Sequence, residues 1–105
     1  MDRGSLLEGI PPTGIAETVE RLAGNQPFRI ERIISHGHRS PEQGWYDQAQ
    51  SEWVAVISGA ATLEFEDGET LHMQPGDWVD IPAHTRHRVT WTDPDADTVW
   101  LAVHY

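Results

Sequence analysis

A chain of 105 residues with a formal net charge of −10 repels a polyphosphate backbone, which argues against a nucleic-acid partner, and all seven of its basic residues are arginine, so lysine-based Schiff-base or P-loop chemistry is excluded. Its 38% hydrophobic and 23% charged content suits one globular domain, no apolar run approaches the roughly 18 residues of a membrane span, and no basic stretch leads into an apolar one as a secretory leader requires. The absence of cysteine removes disulfides and thiolate ligands and agrees with a cytoplasmic location.

In chain order, residues 1–27 read as an N-terminal arm punctuated by Pro11, Pro12 and Gly14. Residues 15–22 fit either a short edge strand or a helical turn. From Phe28 onward, strands alternate with turn signals at roughly the 8–12-residue spacing of a sandwich or barrel. Phe28, Ile30, Ile34, His36 and His38 share one parity, which favours an inward direction for both histidines. Residues 52–57 are apolar on both faces after Glu52, as in a strand covered on both sides. Ser58-Gly59 turns into the alternating Ala61, Leu63 and Phe65, Asp67-Gly68 marks a hairpin, and Gln74-Pro75-Gly76-Asp77 marks a second turn. His87, Val89 and Trp91 then share a face, and residues 98–104 form the last strand after Asp93-Pro94-Asp95. No helix of ordinary length fits residues 28–105. The expected fold is all-β and antiparallel.

Two runs carry a resemblance. Glu52 is followed, after six intervening residues, by Gly59. Gly76 is followed after five by Pro82, with His87 five beyond it. In this order and spacing they resemble the two motifs of the cupin superfamily, over about residues 28–104. The resemblance implies a jelly-roll barrel, commonly a homodimer, whose lumen holds a divalent metal (iron, manganese, nickel or zinc) and a small organic ligand. Dioxygenase, isomerase and lyase chemistries all occur on that fold. The metal ligands it implies are the motif glutamate, here Glu52, the second-motif histidine, here His87, and a His-x-His pair.

That pair is where the sequence departs from the family. In one register it is His36-Gly37-His38, with roughly ten extra residues before Glu52. In the other, Gly37 is the leading motif glycine and the pair's positions fall on Trp45 and Asp47 or on Tyr46 and Gln48. His84 also stands where a glycine is common.

The residues give the metal a chemical rationale of their own. A divalent ion wants imidazole and carboxylate donors converging from several strands, and an inward Glu52 is costly unless it is paired or metal-bound. The plainer readings are a strand-end Glu52 that meets solvent or Arg39, and a core His87 bonded to a backbone carbonyl. Trp45, Tyr46, His84, Trp78 and Trp91 are candidates for the pocket wall, whereas His72 and His104 read as surface or strand-end residues. A functional alternative of another class is a metal-free module that binds or senses a small molecule. The apolar outer face of the strand at 52–57 needs cover, either from the N-terminal arm or from a second subunit.

Overall fold

The computed structural model describes residues 1–25 and 27–105. Among the described residues eight antiparallel strands run in chain order: β1 (Thr18–Asn25), β2 (Phe28–Ser35), β3 (Glu52–Ser58), β4 (Ala61–Phe65), β5 (Thr70–Met73), β6 (Trp78–Ile81), β7 (His87–Thr92) and β8 (Thr98–His104). They form a five-stranded sheet in the order β1-β2-β8-β3-β6 and a three-stranded sheet in the order β5-β4-β7. The all-β, antiparallel expectation holds, and the arrangement is that of a jelly roll. Closure does not follow: the ladders leave two facing sheets that are not joined into a barrel. No helix among the described residues is long and apolar enough to cross a membrane.

Alternation explains how the sheets meet. Val54 and Val56 of β3 and Trp100 and Ala102 of β8 project from the large sheet. They pack against Ala61 and Leu63 of β4 and Met73 of β5, and Ile81 joins from the large sheet's edge. The ambiguous stretch near residue 18 resolves as β1, an edge strand paired with β2 from Thr18↔Ile34 to Asn25↔Phe28, with a register shift between Arg21 and Ala23.

Strand β2 corrects the parity reading. Arg29, Glu31 and Ile33 face the interior between the sheets, and the parity of Ile30, Arg32 and Ile34 faces outward. Ile34 is nonetheless fully buried. The reason lies in the arm. Arg32, only 5% exposed, donates to Glu20 Oε1 and to the carbonyls of Glu8 and Gly9 at 2.8, 2.9 and 3.1 Å, which pins the arm across the outer face. At β2, therefore, the cover comes from the arm. Both faces of this strand are buried, so hydrophobicity alone does not tell them apart.

Candidate functional site

A cavity of about 240 Å³ lies between the sheets. Its walls are apolar, from Ile33, Val54, Leu63, Ile81, Val89 and Trp100, and its polar groups are Glu17, Arg29, Glu31, Gln48, Glu52, His87 and His104, with Tyr46 alongside. Pairing across the large sheet explains part of that convergence. His104 is the cross-strand partner of Arg29 on one side and Glu52 on the other, and Glu52 is opposite Ile81. One row of the sheet thus aims Arg29, His104 and Glu52 into the same space.

The segment before β3 contributes through a separate device. Tyr46 and His87 exchange backbone hydrogen bonds (Tyr46 N–H to His87 O at 2.8 Å, and His87 N–H to Tyr46 O at 3.2 Å). The His84 amide donates to Gln48 O at 2.8 Å. Extended backbone held this way sends Tyr46 and Gln48 inward and Asp47 out. The second register, with its pair positions on Tyr46 and Gln48, is the one whose side chains reach the cavity.

The other expected residues lie elsewhere. His36 is exposed and pairs with Asp97 at 2.9 Å. His38 has both ring nitrogens engaged: Nδ1 accepts from the His36 amide at 2.9 Å and Nε2 donates to Gly14 O at 3.0 Å. The strand ends at Ser35 and the chain turns through Gly37, which carries both histidines away from the lumen. Trp78 is 60% exposed and stacks on Trp53, Trp91 is exposed beside His72, and Trp45 lies under the Arg88 guanidinium at 4.2 Å. These three tryptophans do not wall the cavity: Trp78 faces the outer side of its sheet, Trp45 lies on the loop surface, and a register shift against β4 between Val89 and Trp91 turns Trp91 off the face that alternation would give it with His87 and Val89.

Asp47 and His84 form a pair at the rim, His84 Nδ1 to Asp47 Oδ1 at 2.7 Å, with Arg86 Nε 3.3 Å from Oδ2. His84 holds φ at +62°, left-handed backbone that favours the glycine common at this motif position. The His84 hydrogen bond, followed by that of Arg86, holds the Asp47 carboxyl below its ordinary value of 3.8. A carboxyl depressed in the folded state stabilises above its unfolded pKa, and that contribution is lost as pH falls through the folded value. Replacing His84 with Ala is expected to move the Asp47 carboxyl shift titration, followed by NMR, up toward 3.8; an unmoved midpoint contradicts the assignment.

Within the cavity, the His87 Nδ1–H donates to Thr85 O at 2.8 Å, which leaves the lone pair on Nε2. Glu52 Oε2 stands 3.5 Å from the Gln48 amide nitrogen and 3.6 Å from His104 Nδ1, both too long to satisfy a buried carboxylate. Sequence reading missed His104, which is 4% exposed, and its partners Glu31 and Arg29. His104 shares its parity with Trp100 and Ala102, and that alternation was the available signal.

The lumen holds donors of the types a divalent ion takes, carboxylate and imidazole. Two ligands on a tetrahedral ion with bonds of ~2.0–2.1 Å stand about 3.3 Å apart, close to the 3.6 Å between Glu52 Oε2 and His104 Nδ1. Among the described residues no three His, Asp or Glu side chains form a metal-holding group by themselves. The set is mixed, with the Gln48 amide among carboxylate and imidazole.

A family model described as a cupin domain matches residues 30–104. A protein from Ralstonia eutropha JMP134, provisionally named a mannose-6-phosphate isomerase, is 47% identical with a TM-score of 0.94, over 99% of this chain and 97% of its own. A sugar phosphate isomerase of the cupin superfamily from Silicibacter pomeroyi DSS-3 is 27% identical with a TM-score of 0.66, over 84% of this chain and 58% of its own. A cupin superfamily protein from Desulfitobacterium hafniense DCB-2, 16% identical over 99% of this chain and 91% of its own, has a TM-score of 0.77 and shares the fold. No curated protein matches the chain.

Proposed function

The chain belongs to the cupin domain family, and from that premise we propose that its lumen binds a divalent metal ion and a small organic molecule as a metal-dependent isomerase of a small carbonyl compound. The observation that carries the reading is the convergence of Gln48, Glu52 and His87 on one cavity, with His87 fixed so that Nε2 keeps its lone pair. Glu52 supplies the charged donor, His87 the imidazole, and Gln48 a neutral oxygen after rotation of its amide.

A bound ion supplies Lewis acidity that polarises a substrate oxygen. The rest of the chemistry falls to the chain. Arg29 is held by Glu31 Oε2 at 3.2 Å and Gln50 Oε1 at 2.9 Å, so its guanidinium is oriented before any anionic substituent arrives. Ile33, Val54, Leu63 and Trp100 give the cavity an apolar wall, beside which each polar contact with a bound ligand would be less screened by water. Of dioxygenase, isomerase and lyase chemistries, isomerisation is supported by the names of two similar structures, one of them 47% identical over nearly the full length of both chains.

Elemental analysis of protein purified without a nickel column tests the reading. After reloading with zinc, manganese or iron and desalting, about one equivalent is expected per chain, because one cluster of donors fits one ion. No retained metal under any of these conditions overturns the proposal in favour of a metal-free binding or sensing module.

A further inference from the structure

We propose that His104 is a direct donor to the lumen ion through Nδ1, and that Glu31 is the positioning residue that fixes its tautomer. The inference rests on the metal-binding reading above and adds a ligand that neither cupin motif contains. His104 lies on the last strand, seventeen positions after the second-motif histidine His87.

Three observations converge. His104 Nε2 lies 2.9 Å from Glu31 Oε1, and a carboxylate oxygen only accepts, so the ring proton of the neutral imidazole sits on Nε2. Nδ1 therefore carries the lone pair. That atom is the one buried side-chain nitrogen or oxygen among the described residues without a hydrogen-bond partner. Glu52 Oε2 lies 3.6 Å from it. Two acceptors thus confront each other in a buried space, too far apart to share a proton well and too close to be indifferent. A cation between them resolves the conflict and satisfies both.

Glu31 completes the arrangement. Its Oε2 accepts from Arg29 Nε at 3.2 Å while Oε1 accepts from His104, so the carboxylate is braced from both sides. A carboxylate behind a ligating histidine fixes ring orientation and raises the basicity of the metal-facing nitrogen. The arrangement also accounts for the missing histidine pair. With Tyr46 and Gln48 at the pair's positions, only His87 of the motif imidazoles lines the cavity, and β8 adds His104, the cross-strand partner of Glu52.

Calorimetric titration of the metal-free protein with Zn²⁺, repeated with Co²⁺ while visible absorption is recorded, tests this. His104→Ala and His104→Gln are each expected to weaken binding at least about 100-fold, and Glu31→Gln roughly 10- to 100-fold with a shift of the cobalt d–d bands. His72→Ala serves as the surface-histidine control and should match wild type. Far-ultraviolet CD and thermal melting establish that each variant folds; His104→Gln keeps a polar group at the site if the alanine variant does not. Wild-type affinity in a folded His104 variant, with binding lost in Glu52→Ala, overturns the His104 assignment and leaves the metal reading standing. Unchanged cobalt bands and affinity in Glu31→Gln overturn the role of Glu31. If wild type binds neither ion, the metal reading fails and the inference falls with it.

Discussion

Glu52→Ala is expected to lower the retained metal from about one equivalent to less than a tenth of one, because it removes the charged donor of the proposed set. The same substitution should leave the metal-free fold intact or slightly more stable. Glu52 is only 15% exposed at its side chain, and its contacts with Gln48 and His104 are long. Its burial is therefore poorly compensated, and a smaller apolar residue relieves a desolvation cost of about 1–3 kcal/mol. Loss of metal with unchanged or improved unfolding of the metal-free protein is the combination that separates a binding residue from a structural one. Retained metal, or a fold weakened by more than about 2 kcal/mol, contradicts the role given to Glu52.

Gly59→Ala carries the largest expected effect on folding, about 3–5 kcal/mol, from left-handed backbone combined with a clash that cannot relax. Gly59 holds φ at +84°, and a Cβ there would lie 2.5 Å from Thr98 Oγ1, 2.6 Å from Thr98 Cα and 2.7 Å from Asp97 O. Two of those atoms are backbone. The third belongs to a fully buried hydroxyl that ties Ala60 to β8, accepting from its amide at 3.3 Å and donating to its carbonyl at 3.0 Å. Gly68 is a useful contrast, because it has φ +94° but nothing within 4 Å of the added carbon. Gly68→Ala should cost only the roughly 1–2 kcal/mol of the backbone conformation. Equal costs for the two substitutions in urea unfolding would show that close approach at the β3–β4 turn does not explain the first-motif glycine.

The sequence made the strands and turns legible from residue 28 onward, because alternation and the Asp67-Gly68 and Pro75-Gly76 turns are local signals. It also picked out Glu52 and His87, both of which the structure places at the cavity. What it did not yield depends on contacts distant in sequence. The inward parity of β2 could not be read, since the arm held by Arg32 buries the other face as well. His36 and His38 follow the outward parity and leave the sheet after Ser35. Asp47 faces out because the Tyr46–His87 bridge sets the alternation of that segment, and no periodicity within residues 39–50 announces the bridge. His104 matched no motif, and its value lies in standing opposite Glu52 on one side and Arg29 on the other. Closure into a barrel was expected from the resemblance, whereas the ladders form two sheets.

The central claim is that a divalent ion occupies the lumen at Glu52 and His87, and anomalous diffraction from crystals loaded with one equivalent of Zn²⁺ addresses it most directly. The account predicts one strong anomalous peak between the sheets, within about 2.0–2.2 Å of a Glu52 carboxylate oxygen and His87 Nε2. Zinc found only at surface carboxylates, with the lumen free of anomalous density, would contradict it.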